Sequence, residues 1–110
     1  MGHLCRVATL FLVSTIVLSS AAVAESPGAP IYQKHCAKCH GEDGRAKTTA
    51  ASKMKVANLR SPEIQSQSDA QLYDSIAYGK KHKQYPHAFL YTGLTEQDIR
   101  AVVAHIRTFK

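Results

Sequence analysis

Cys36-Ala37-Lys38-Cys39-His40 is the stretch on which the reading of this chain turns. Two thiols three positions apart face the same way when the segment makes a helical turn, and a histidine follows at once. Thiols so placed reach the two vinyl groups of one haem and form thioethers with them. The imidazole of His40 then meets the iron from the same side, so five residues fix the ring covalently and supply one axial ligand. Cys36 and Cys39 are therefore the expected attachment points of a single haem c, and His40 is its expected proximal iron ligand.

Three other uses of a Cys-x-x-Cys pair compete with this one. A dithiol redox centre is expected beside a βαβ pattern, which the sequence lacks. Half of a zinc site needs a second cysteine pair, and only scattered histidines remain. A plain disulfide closing so short a loop gains little from chain entropy.

Upstream of the motif, residues 1–24 read as a secretory signal peptide. His3 and Arg6 give a weakly positive start, residues 7–18 form an apolar run, and Ala22-Val23-Ala24 supplies the small residues of a cleavage site. The run is short for a permanent span; the competing reading is an uncleaved N-terminal anchor. Cys5 precedes the run and is not placed as a lipoprotein acceptor. With these 24 residues removed from 110, 86 remain, residues 25–110, enough for one domain. A domain that small buries little apolar surface and needs a staple, a metal or a cofactor. Its only cysteines are Cys36 and Cys39, so it is not a disulfide scaffold. The expected location is periplasmic or otherwise exported, with no permanent membrane span after cleavage.

The whole chain carries a formal charge of +6 from 14 basic and 8 acidic residues. Loss of Arg6 with the signal leaves 13 against 8, or +5. A cluster stands at Lys80, Lys81 and Lys83. Nucleic-acid binding would want an intracellular protein with stacking aromatics beside the cluster, and export argues against it. A basic face that speeds encounter with the acidic docking surface of a redox partner fits better, beside the plainer reading of a solvated face that aids solubility.

The pattern along residues 25–110 is helical with long loops. Pro27, Gly28 and Pro30 mark a flexible lead-in, after which Ile31, Tyr32 and His35 fall at helical spacing, with Pro30 suited to the first turn. Gly41 and Gly44 break regular structure. Residues 45–60 show no period and read as a loop with Met54, Val56 and Leu59 facing inward. Ser61-Pro62-Glu63 opens a short turn to about Gln65. Ser68 and Gln71 form a capping box for a second helix. Its apolar face is Leu72, Tyr73, Ile76 and Ala77, and Gly79 ends it. After a loop to Gly93, the last helix starts at Thr95, with Glu96 and Asp98 in its first turn. Its inward stripe is Ile99, Val102, Val103, Ile106 and Phe109. No alternating strand-like run and no repeat is present, so the fold class is all-α: a small helical domain wrapped around one covalently bound haem, since loops this long need something else to fill the core.

Over residues 25–110 the chain resembles the monohaem class I cytochromes c. The resemblance rests on Tyr32-Gln33-Lys34-His35-Cys36-Ala37-Lys38-Cys39-His40-Gly41-Glu42-Asp43-Gly44, on residues 72–80, and on Leu94-Thr95-Glu96-Gln97-Asp98-Ile99-Arg100-Ala101-Val102-Val103-Ala104-His105-Ile106-Arg107. It implies first and last helices crossing beside the haem, and electron transfer outside the cytoplasmic membrane, where haem is attached.

The chain departs from the family at the sixth iron ligand. The family places a methionine followed by proline in the loop before the last helix; here that loop reads Gly79-Lys80-Lys81-His82-Lys83-Gln84-Tyr85-Pro86-His87-Ala88-Phe89. Tyr85 stands where the methionine belongs. The candidates for the distal iron ligand are Tyr85 and His87, with His82 and Met54 behind them and an open position as a further outcome. Nitrogen or phenolate oxygen in place of thioether sulfur lowers the potential, whereas an open site admits a small ligand. Tyr32 and Tyr73 are expected on the haem-facing sides of their helices, and His35 and His105 as packing or surface residues. The leading reading is a haem-binding, non-enzymatic carrier of single electrons between redox partners. The alternatives are a haem enzyme or small-ligand sensor with an unusual sixth site, and an accessory module docked on a dehydrogenase.

Overall fold

The computed structural model describes residues 14–80 and 88–110. Helix α1 spans Ala29–His35, α2 Ala37–His40, α3 Thr49–Lys53, α4 Pro62–Gln65, α5 Asp69–Tyr78 and α6 Glu96–Ile106, with a 3₁₀ turn at Phe89–Tyr91. The described residues contain no strand, and the all-α class expected from the sequence holds.

Local chemistry sets each boundary. Pro30 lies in the first turn of α1, where a missing N–H costs nothing. Ser61 caps α4 through Ile64 N–H, and Pro62 follows it. At α5 the Ser68 hydroxyl accepts from Gln71 N–H at 3.1 Å while the Gln71 side chain accepts from Ser68 N–H at 2.9 Å. Gly79 closes that helix in the left-handed region, φ 67°, which glycine enters without a Cβ clash. Thr95 and Asp98 form the same reciprocal cap at α6. The bonds from Thr95 hold the Asp98 carboxyl below the usual carboxylate range.

One difference from the sequence reading lies in residues 45–60, expected as a plain loop. They contain the one-turn helix α3, whose Thr48 cap accepts from Ala51 N–H at 3.0 Å. A helix of 5 residues buries no residue and so carries no period to detect.

The core gathers where α1 meets α6. A Cβ on Gly28 would lie 2.0 Å from the Ala101 backbone oxygen, so the start of α1 rests directly on the α6 backbone. Tyr32, Ile99 and Val102 are the largest side chains wholly enclosed. Val103, Ile106, Phe109, Leu72 and Leu59 complete the cluster, and the inward stripe expected for the last helix is buried throughout. Arg107 then ties α6 to the turn between α4 and α5. Its Nε donates to Asp69 at 2.8 Å, Nη1 donates to the Gln65 oxygen at 2.9 Å, and Nη2 donates to the Gln67 oxygen. From the facing side, Gln65 Nε2 donates to the oxygens of Leu59 at 2.7 Å and Ile106 at 3.1 Å.

Candidate haem site

A cavity of about 680 Å³ opens between α2, α5 and the segments that flank them. Its walls are mainly apolar: Tyr32, Val56, Leu59, Ile64, Leu72, Ile76, Phe89 and Ile106 face it, together with Met54. Cys36, Cys39 and His40 face the same space, so the fold brings the three motif residues to one cavity. The size and lining are those of a pocket for one large, mostly apolar ligand.

The one-turn α2 is what aims the motif. Cys39 N–H donates to the Cys36 oxygen at 3.2 Å and His40 N–H to the same oxygen at 2.9 Å. Both cysteines are free thiols. Burial, with the neighbouring Cys39 as a second cause, pushes the Cys36 thiol up to about 12. A thiol held protonated in this way is a poor nucleophile, which disfavours a dithiol redox centre.

His40 is oriented from behind. Its Nδ1 lies 2.9 Å from the backbone oxygen of Ala57, an acceptor only. Nδ1 therefore carries the hydrogen, and Nε2 is the nitrogen with a lone pair for a metal. The turn under His40 is also braced. The Cys39 oxygen accepts from Thr48 Oγ1 at 2.7 Å, the His40 oxygen accepts from Ala46 N–H at 2.7 Å, and the Gly41 oxygen accepts from Tyr32 Oη at 2.6 Å. Three successive carbonyls are thus held by three separate parts of the chain, which fixes the ring's approach to the cavity.

These observations fit a covalently held haem. Two thiols stand one helical turn apart, an imidazole has its far nitrogen committed, and apolar walls surround the space between them. The described lining also contains Lys34, Lys38 and Lys55 and no carboxylate, which suits the anionic propionates of such a ring.

The remaining expectations divide. Tyr32 faces the cavity, as expected. Tyr73 does not: it stands beneath the Arg100 guanidinium at 5.0 Å and edge-on to Tyr78 at 6.4 Å, so that expectation is corrected. Helical spacing put Tyr73 and Leu72 on one face, but adjacent residues point 100° apart, and of the two only Leu72 lines the cavity. His35, read as packing or surface, borders the cavity edge-on to Phe89 at 5.6 Å. Of the basic cluster, Lys80 is paired with Asp74 at 2.6 Å. Lys81, Lys83 and the distal candidates His82, Tyr85 and His87 lie outside the described residues.

Sequence reasoning missed the bracing of the motif turn. Tyr32 was legible as an inward residue, but nothing in the spacing of Tyr32, Thr48 and Ala57 announces which carbonyl or imidazole each will meet.

No curated protein matches the chain significantly. A family model described as Cytochrome c matches residues 25–110, the span that contains the motif, the cavity and helices α1 to α6 of the described residues, and the chain accordingly belongs to the cytochrome c family.

Proposed function

We propose that this chain is an exported carrier of single electrons whose haem is bonded to Cys36 and Cys39 and whose iron is bound by His40 Nε2. Membership of the family brings a covalently bound haem c with its iron and the general role of an electron carrier. The observation that carries the residue assignment is the 2.9 Å contact between His40 Nδ1 and the Ala57 oxygen, which puts the ring's lone pair on Nε2 beside the cavity that both thiols line. Residues 1–24 act as the signal, removed after Ala24, and the domain is residues 25–110.

The group, when bound, supplies one reversible electron at iron. The protein's own residues do the rest. Val56, Leu59, Leu72, Ile76 and Ile106 keep water from the ring faces, which disfavours the more highly charged ferric state. The Ala57 carbonyl, by holding the Nδ1 hydrogen, makes His40 a stronger donor. Lys34, Lys38 and Lys55 give the cavity rim a positive potential that favours encounter with a redox partner carrying an acidic docking surface.

Tyr85 and His87, in the stretch before α6, are the two candidates that would supply a second ligand to the iron. Met54 stands three residues before the Ala57 carbonyl that backs His40, in the same stretch of chain, which favours a wall role for it over that of a second iron ligand. That placement also supports a second reading, a haem enzyme or small-ligand sensor, because no methionine then remains for the usual position.

Absorption spectra of the haem-loaded protein, oxidised and reduced, test all of this. A low-spin ferric spectrum lost in His87→Ala assigns the ligand to His87. A high-spin spectrum altered by Tyr85→Phe assigns it to Tyr85. A high-spin spectrum indifferent to both, with carbon monoxide or peroxide reacting at the iron, replaces the carrier reading by the sensor or enzyme. A far-red ferric band of iron–sulfur bonding would return Met54 to the iron and overturn the distal assignment.

A further inference from the structure

The crossing of α1 and α6 contains a titratable group that electron transfer does not use. His105, in the last turn of α6, has its ring centroid 5.0 Å from that of Tyr32 and 5.0 Å from that of Phe109. Its Nδ1 lies 2.7 Å from Ser26 Oγ, a residue 79 positions earlier. Ser26 also accepts from Ala29 N–H through its backbone oxygen at 2.9 Å. Ser26 thus begins α1 with its backbone and reaches α6 with its side chain. His105 Nε2 is enclosed and has no hydrogen-bond partner among the described residues.

These contacts decide where the ring can hold a hydrogen. The Ser26 hydroxyl can donate or accept. If it donated to Nδ1, the ring hydrogen would sit on Nε2, an enclosed N–H without an acceptor. Orphaned N–H groups are rarer in proteins than under-satisfied acceptors. The favoured neutral form therefore has Nδ1–H donating to Ser26 Oγ and a bare Nε2. A proton added to this ring has only Nε2 to occupy.

We propose that His105 is an acid-release clasp: a proton on Nε2 loosens the Ser26 lead-in and the start of α1 from α6, and the slackening passes through Tyr32 to the turn that carries His40.

The charged ring would place an N–H with no acceptor among the described residues between two aromatic side chains. Those rings stand 5.0 Å away, tilted by 52° and 74°; any attraction of the cation for their faces offsets part of that cost but supplies no acceptor for the new N–H. The groups facing His105 are few. Glu25, on the lead-in, favours the charged form, but burial outweighs it and holds the His105 pKa below the ordinary value. Tyr32, on α1, has its phenol pushed up by burial and stays neutral throughout. Phe109 is neutral. Arg107, two positions on, is committed to Asp69 and to the oxygens of Gln65 and Gln67. The path to the iron side is short: Tyr32 packs on the His105 ring and its Oη donates at 2.6 Å to the oxygen of Gly41, the residue after His40.

The sign follows from the depressed folded value. Above about pH 6.5, the ordinary histidine pKa, neither state holds the proton and stability is full. As pH falls below that, the unfolded chain takes up the proton first and stability drops, by at most tenfold in the folding constant per pH unit for one proton. The loss ends once the folded ring protonates. The clasp uses no residue assigned to the iron, so it stands or falls independently of the proposed ligands.

The test compares equilibrium unfolding of the haem-loaded protein and its His105→Phe variant from pH 8 to pH 5. The wild type is expected to lose stability more steeply than the variant below about pH 6.5, by up to tenfold in the folding constant per pH unit. Parallel curves would overturn the clasp. Should the variant not fold, proton NMR of the intact wild type decides: a His105 midpoint below about 6.5 supports it, and one at or above that value refutes it. Transmission is read separately, from the shifted His40 and haem-methyl resonances of the ferric protein. They are expected to move with the His105 midpoint in the wild type and to stay still in Tyr32→Phe. Resonances that do not follow His105 in the wild type would refute the link to the iron side.

Discussion

His40 Nδ1 and the backbone oxygen of Ala57 stand 2.9 Å apart, and this contact gives the motif imidazole its orientation. A backbone carbonyl can only accept, so the contact favours the neutral tautomer with its hydrogen on Nδ1. Carbonyls 39, 40 and 41 are held at the same time by Thr48, Ala46 and Tyr32, so the ring's root is as constrained as its tip. The site is thus prepared by backbone geometry more than by charged side chains.

Removal of that imidazole should therefore leave a hole of known shape. His40→Ala, matured with haem, is expected to show a ferric spectrum changed by the loss of the proximal nitrogen, and added imidazole should restore the wild-type spectrum with a saturable dependence on concentration. The check is the ferric absorption spectrum along an imidazole titration. A variant whose unaided spectrum matches the wild type would place the proximal ligand elsewhere.

Gly28 is constrained by space. Its φ of −79° suits any residue, yet a Cβ there would lie 2.0 Å from the Ala101 oxygen and 2.8 Å from Val102 N, both backbone atoms that cannot swing aside. Gly28→Ala must push α1 off α6 and is expected to cost about 2–3 kcal/mol, at the upper end of overpacking. Urea unfolding of the haem-loaded protein measures it; a loss under about 0.5 kcal/mol would show that the crossing can open without penalty.

The sequence carried the boundaries of α4 and α5 well because they are signed by particular residues: Ser68 with Gln71, Pro62 after Ser61, Gly79 at the end of α5. The last helix was legible for a different reason, its apolar stripe from Ile99 to Phe109 being long enough to show a period. Helix α3 was not legible, since one exposed turn has neither period nor buried face. In the site, the convergence of Cys36, Cys39 and His40 on one cavity was readable because their spacing puts them on one helical turn. The Ala57 and Thr48 contacts were not, since they join residues 17 and 9 positions apart through backbone oxygens that every residue possesses. Tyr73 was misplaced because a period locates a face only to within one residue's turn of the helix.

Arg107 joins α6 to the α4–α5 turn by one carboxylate and two carbonyls, and its side chain is 28% exposed. Exposed ion pairs contribute little, but the bonds to the Gln65 and Gln67 oxygens are a fork that lysine cannot reproduce. Arg107→Ala is expected to cost about 1–2 kcal/mol and Arg107→Lys nearly as much. Raising the salt concentration should change the wild-type stability little by comparison. Full recovery by lysine in a denaturation series would mean that the Asp69 charge pair, and not the fork, holds the turn.

Met54 is the only methionine after the proposed cleavage site, and it lines the cavity from the stretch that ends at Ala57. Two roles would look alike in a list of lining residues: a ligand to iron, or an apolar wall. They differ in what leucine can replace. As a wall, Met54→Leu keeps volume and apolarity, so the cost is under about 1.5 kcal/mol and neither the spectrum nor the potential moves appreciably. As a ligand, the sulfur is irreplaceable: the variant would lose any iron–sulfur band, and the potential would fall as nitrogen, oxygen or water took its place. The wall is the expected outcome, because Met54 belongs to the same stretch as the Ala57 carbonyl that backs His40. Voltammetry of wild type and Met54→Leu side by side separates the two, and a clear drop in the variant's potential would put Met54 on the iron.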